Sequence, residues 1–201
     1  MLEFERFRIP HDNFCYLFHD GNRGFIVDPG FDPGRVIDFI EGRGLELRWV
    51  FLTHHHGDHT ASLMKVIERT GAKSVASGYC SDRIGGADLI VEDGDELEMK
   101  DSSVKVMETP GHTPGGICLI VDNGYLVSGD TLFIGDCGRC DLPGGSLEKM
   151  FASLQRIKEL PDDLILLPGH DYGNKMQDTL GNQKKVSGVL LASDLEGFSR
   201  L

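Results

Sequence analysis

Positive charge is scarce in this chain: 20 lysines and arginines stand against 32 aspartates and glutamates, a formal net charge of -12. A surface of that sign repels phosphate backbones, so nucleic acid is excluded as an expected partner. A small anionic substrate is not excluded, because one arginine in a cleft outweighs a distant field. Long apolar runs are also missing: nothing approaches the roughly 18 residues that a membrane span requires. The opening MLEFERFRIP mixes charged with apolar residues and has neither an apolar h-region nor a cleavage site. It does not read as a secretory signal. Cysteine is sparse, odd in number at five and well dispersed, which points to reduced thiols and a cytoplasmic location rather than a disulfide framework. No internal repeat or low-complexity linker interrupts the 201 residues. The expectation is one domain over 1–201 with a short helical tail over 172–201, long enough to bury a core without a metal or a disulfide to hold it.

The balance of 40% hydrophobic and 26% charged residues is that of an ordinary globular protein, and 26 glycines imply many tight turns. Short β-like runs open the chain: FERFRI, NFCYLFH and GFIVDPG, the last ending in an Asp-Pro-Gly turn. PGRVIDFIEGRG places apolar residues at 36, 37, 39 and 40 and predicts a short helix. LRWVFLTH predicts a buried strand, and DHTASLMKVIERTG a helix with Asp58 near its N-cap and Gly71 closing it. The second half begins the pattern again with KSVAS, LIVEDGDELEM, SVKVMETPGH and GGICLIVDNGYLVSGD, in which Asn123-Gly124 is a hairpin signal. SLEKMFASLQRIKELP is a second long helix, and DLILLPGH a buried strand. Two β-sheets face to face with helices outside satisfy this order.

Four of the eight histidines fall within seven positions, THHHGDH at 53–59. Alternate side chains of an extended loop point the same way, so His54 and His56 share a face and His55 points elsewhere. Asp58 and His59 open a helix and turn back towards the same point. Further candidate ligands follow strands elsewhere: His112 after TPG, Asp130 after SG and His170 after LPG. Imidazoles and carboxylates suit zinc, iron or manganese. A carboxylate can bridge two cations, which makes Asp130 the natural shared ligand. Five histidines and two aspartates suffice for a binuclear centre.

THHHGDH, TPGHTPG, SGDTLF and PGHDYG, in that order, resemble the motifs of the metallo-β-lactamase-fold superfamily, and IVDPG with Asp28 resembles its first motif. The match runs from about residue 14 to 173. It implies an αββα sandwich, an α+β fold of two mixed sheets with helices on the outer faces. It further implies that His54, His56 and His112 hold one metal, that Asp58, His59 and His170 hold the other, and that Asp130 bridges them. Within the superfamily, GDTLFIGDCGRCDLPGG is similar to the glyoxalase II (hydroxyacylglutathione hydrolase) and persulfide dioxygenase branch.

Two reactions follow from that resemblance. The first is hydrolysis of a thioester of a small thiol, with two divalent metals (zinc, or zinc with iron) supplying a hydroxide near neutral pH. Asp58 and Asp130 are its catalytic carboxylates, Arg139 pairs with a substrate carboxylate, and Tyr172 lines the pocket. The alternative is a dioxygenase with one iron(II), held by His54, His112 and Asp130, that oxidises a thiol persulfide. Cys137 and Cys140 form an isolated C-x-x-C that could be redox active, but no thioredoxin-like βαβ unit surrounds it.

Overall fold

The computed structural model describes residues 2–100 and 102–201. The period-two pattern at the start builds strands whose two faces have different neighbours. In β2 (Asn13–His19) every residue is buried. Phe14, Tyr16 and Phe18 point into the core between the sheets, while Cys15 and Leu17 point to the layer under the helices. Each fully buried ring contributes about 1.5–3 kcal/mol of apolar burial. β1 (Glu3–Ile9), with one face more exposed, pairs antiparallel with β2, and β3 (Arg23–Val27) continues the meander.

Three further strands extend this first sheet in parallel: β4 (Glu46–Phe51), β5 (Lys73–Ser77) and β6 (Leu89–Val91). Helices cross between them: α1 (Gly34–Arg43), the single turn α2 (Gly57–Thr60), α3 (Leu63–Thr70) and α4 (Gly78–Ile84). Val36, Ile37 and Ile40 of α1, with Leu63 and Val66 of α3, cover the outer face.

The second sheet contains β7 (Glu96–Met99), β8 (Ser102–Glu108), β9 (Ile117–Val121), β10 (Tyr125–Gly129), β11 (Ile165–Pro168) and the short β12 (Asp178–Thr179), in the order β12-β11-β10-β9-β8-β7. β10 and β11 run parallel across α5 (Leu147–Lys158), while the other pairs are antiparallel. α5 is capped by Ser146, whose side chain accepts from the Lys149 amide. It buries Met150, Leu154 and Ile157 against Leu126 and Leu166, beside Leu180 of α6 (Leu180–Val186) and Leu190 of α7 (Gly188–Leu191). α8 (Leu195–Phe198) closes the chain. The architecture is the expected four-layer αββα sandwich of two mixed sheets. Near the loops that carry the candidate ligands the sheets are stitched together by Tyr16 Oη–H to Pro168 O (2.8 Å) and Ile117 N–H to Thr53 O (2.9 Å).

The structure corrects the sequence reading at four points. The helix expected from Asp58 to Thr70 is two pieces, because the Ser62 amide leaves the ladder and donates to Pro29 O at 3.0 Å. KSVAS and LIV do not begin the second sheet; they finish the first, and the chain crosses between sheets near Asp93–Gly94. α4 lies where no helix was expected, capped by Ser77, whose hydroxyl accepts from Cys80 N–H. In the β9–β10 hairpin the left-handed residues are Asp122 and Asn123 (φ 49 and 51), so the turn sits one position before the Asn-Gly pair.

Candidate metal centre

The ligand loop after β4 is fixed by Asp28, which follows β3 in a left-handed conformation (φ 54). Its carboxylate accepts from Thr53 N–H (2.8 Å), Thr53 Oγ1–H (2.6 Å) and His59 Nδ1 (2.9 Å). One buried side chain therefore orients both ends of the loop. Because Thr53 gives its hydroxyl proton to Asp28, its oxygen accepts from His54 Nδ1 at 3.1 Å, which leaves His54 Nε2 as a lone pair. His56 caps α2 with extended backbone (φ -65, ψ 145). Its Nδ1 lies 3.1 Å from His54 Nε2 and 2.9 Å from His112 Nε2.

The other three candidate ligands come from the second sheet. His112, after β8, donates from Nδ1 to Arg139 O at 2.7 Å, which leaves Nε2 facing inward. His170, after β11, is 3.3 Å from His11 O through Nδ1, and its Nε2 is 3.3 Å from His59 Nε2. Asp130, after β10, touches both groups: Oδ2 is 3.4 Å from His112 Nε2 and 3.3 Å from His170 Nε2, and Oδ1 is 3.3 Å from His59 Nε2. Asp58 Oδ2 lies 3.5 Å from His170 Nε2 and 3.8 Å from His59 Nε2. Ligand atoms within 4.8 Å of one another group as His54, His56, His112; His54, His59, Asp130; and Asp58, His59, His170. The middle group joins the outer two.

This donor set fits divalent cations. Imidazole nitrogens aimed at each other at 2.9–3.3 Å repel unless something positive lies among them. The outward nitrogens of His54, His59, His112 and His170 are engaged by a hydroxyl, a carboxylate and two carbonyls, the arrangement that holds metal-binding histidines in place. Asp130 Oδ1 is buried and accepts no hydrogen bond, since His59 Nε2 is near it but not in bonding geometry. An orphaned carboxylate oxygen of this kind needs a cation or water to offset its burial.

Electrostatics separates the two outer groups. Burial, and then the neighbouring histidines, pushes His54 well below its usual pKa. Burial followed by His112 lowers His56. Burial also works against the charged form of His59, but Asp130 and Asp28 outweigh it and raise its pKa well above normal. Burial opposes the Asp130 carboxylate, yet His59 and His170 hold its pKa well below the usual range.

His55 belongs to none of these groups; its ring lies edge-on to Tyr79 at 5.6 Å. Arg139 and Tyr172 line a cleft of about 250 Å³ beside His112 and Asp130. The Arg139 guanidinium pairs with Asp141 through two bonds of 2.6 and 2.7 Å. Tyr172 is 60% exposed and therefore no core residue; it stacks on His170 with centroids 4.5 Å apart. Cys137 and Cys140 are partly buried, and burial raises their thiols to about 12 and about 11, which suppresses the thiolate that redox exchange needs. Sequence reasoning passed over Thr53, which orients His54, and Asn13, which is buried against Asp58 and His59. Asn13 lies in none of the motifs; Thr53 opens THHHGDH, but its role depends on Asp28, 25 positions away, which takes its hydroxyl proton.

Residues 8–170 match the family model of the metallo-beta-lactamase superfamily. The hydroxyacylglutathione hydrolase of Methylococcus capsulatus is 36% identical over 175 residues, covering 86% of this chain and 67% of that protein. Among solved structures, ETHE1 from Myxococcus xanthus superposes with a TM-score of 0.89 at 28% identity, over 98% of this chain and 88% of that one. TTHA1623, solved in a di-iron-bound form, superposes with a TM-score of 0.76 at 26% identity, over 91% of this chain and 98% of that one.

Proposed function

Because the chain belongs to the metallo-beta-lactamase superfamily, we propose that it is a metal-dependent hydrolase that cleaves the thioester of a small thiol, in the manner its hydroxyacylglutathione hydrolase relatives are named for. The observation that carries this reading is Asp130, whose carboxylate lies within 3.4 Å of nitrogens from both outer ligand groups. A shared carboxylate between two groups is the design of a two-cation centre. His54, His56 and His112 would hold one divalent metal, zinc or iron, and Asp58, His59 and His170 the other. Bound there, such metals supply Lewis acidity and lower the pKa of water towards neutrality.

The chain's own residues do the rest. Asp58 is more exposed than Asp130, so its carboxylate is the one that water reaches, and it would orient an attacking water. His112 and Asp130 border the cleft, where the thioester carbonyl would lie. The leaving thiolate has a pKa of about 8.5, so it departs without a general acid, and none is needed beside the cleft. Tyr172 and Phe133, edge-on at 5.3 Å, supply the apolar wall. Asp141 occupies the Nε and Nη2 edge of Arg139, which leaves the Nη1 and Nη2 edge for a substrate carboxylate. The five free thiols support a reducing compartment, the cytoplasm.

A second reading, oxidation of a thiol persulfide at one iron, is supported by the resemblance of GDTLFIGDCGRCDLPGG to the persulfide dioxygenase branch and by the superposition on ETHE1. The test is paired. Protein purified without added metal is analysed for metal content, then assayed for thiol release from S-lactoylglutathione and for oxygen uptake with glutathione persulfide. We expect close to two metals per chain and thiol release. One iron per chain, with oxygen uptake and no thiol release, would overturn the hydrolase reading.

A further inference from the structure

The turn between β1 and β2 reaches the second ligand group at all three of its members. The His11 carbonyl faces His170 Nδ1 at 3.3 Å. Asn13 Nδ2 donates to Asp58 O at 3.1 Å, and lies 3.4 Å from Asp58 Oδ2 and 3.2 Å from His59 Nε2. Backbone bonds on either side, Phe14 N–H to Gly169 O (2.8 Å) and Asp171 N–H to Asp12 O (2.7 Å), clamp the His170 loop to the same turn. Among the described residues, no hydrogen bond runs from this turn to His54, His56 or His112.

Asn13 is an expensive residue in this position. It is 1% exposed, and its Oδ1 accepts from nothing. A buried acceptor left unpaired costs about 1–3 kcal/mol, and an apolar side chain of similar size would fill the space without that cost. What only the amide provides is its pair of N–H groups. One fixes the backbone of α2 at Asp58; the other points between the Asp58 carboxylate and the His59 ring nitrogen. A neutral donor at that point holds the carboxylate without the full positive charge with which a lysine or arginine would repel a cation.

We propose that Asn13 is a positioning residue that decides whether the second cation binds: it holds Asp58 and His59 in the geometry that, with His170, makes the second site, and leaves the first site unaffected. The inference rests on the two-cation reading above. Outer hydrogen-bond partners of metal ligands typically govern 10–100-fold in affinity. Removing Asn13 would therefore turn a two-metal protein into a one-metal protein at limiting metal.

The test is a zinc titration of chelator-stripped full-length protein, in competition with a chromophoric chelator. Wild type, Asn13→Ala and the size-conserving Asn13→Leu are compared. The second equivalent should weaken about 10–100-fold in both variants, with the first changing less than about threefold. Equal weakening of both equivalents would mark a merely structural role and overturn the proposal, as would no change in either. If wild type takes up only one equivalent, the two-cation reading falls together with this inference; two equivalents in wild type with unchanged variants sink this inference alone. A measurement on wild type needs no variant to fold: the Asn13 side-chain amide resonances should shift with the second zinc equivalent and not the first, and the reverse order would overturn the proposal.

Discussion

The two sheets serve the centre in opposite ways. The first delivers His54, His56, Asp58 and His59 from one loop behind β4, while the second delivers His112, Asp130 and His170 from the ends of β8, β10 and β11. In the first case local chain geometry and two anchors, Asp28 on Thr53 and His59 and Asn13 on Asp58, place four side chains. In the second, three separate backbones must approach one another, and glycines make that possible. Gly129, with φ 49, packs on the Thr53 side chain, and a Cβ at Gly169 would lie 2.5 Å from Asp130 Oδ1 and 2.9 Å from His59 Cε1. At Gly57, in the first loop, a Cβ would meet nothing within 4 Å. The glycine inside the first loop is free of contacts, whereas those beside the dispersed ligands are held by close packing, as is Gly30, which backs the first loop at Asp58 O.

The largest effect expected from breaking this comparison is at the residue where the two contributions meet. Asp130→Ala removes the carboxylate that lies against His59, His112 and His170. Both metals should be lost, and thioesterase activity should fall by more than the roughly 100-fold typical of an outer partner. Metal analysis after dialysis checks it, and a variant that keeps two metals would refute the shared position of Asp130.

A smaller effect separates the two kinds of backbone. Gly169→Ala should weaken metal binding about 10–100-fold and cost about 1–3 kcal/mol as an overpacked site. Gly57→Ala should stay within about 0.5 kcal/mol of wild type. Thermal melts and zinc competition on the two variants measure both quantities. Equal effects would mean that packing does not distinguish the two contributions.

The same comparison explains what could be read from the sequence. THHHGDH announces itself because its ligands are adjacent, and alternation alone sets His55 apart from His54 and His56. His112, Asp130 and His170 are visible because each follows a glycine at the end of an apolar run, although nothing local says that their strands lie side by side. The break between α2 and α3 depends on Ser62 reaching Pro29, 33 positions away by number. The crossing near Asp93–Gly94 is hidden because LIV and ELEM look like neighbouring strands whichever sheet they join. α4 is only seven residues long, too short for a helical period to stand out. Asn13, after an aspartate, reads as an ordinary turn residue, and its contacts lie 45 and 46 positions away.

The smallest effect is expected at His55, inside the crowded loop but outside the centre. His55→Ala should keep its metal content, and activity should stay within about twofold of wild type, because the ring faces Tyr79 and not the ligands. Its pH behaviour gives a sharper check. Burial first, then His56 and Arg83, lowers the His55 pKa to about 4, against about 6.5 in an unfolded chain. The unfolded state therefore binds this proton first as pH falls, and wild type loses stability over the interval from about 6.5 down to about 4. Alanine has no such proton to bind. The melting temperature of His55→Ala relative to wild type should rise as the buffer is taken from about pH 7 to about pH 5. A relative fall over that interval would mean that a protonated His55 is held favourably in the fold, and that the ring faces the carboxylates of the centre after all.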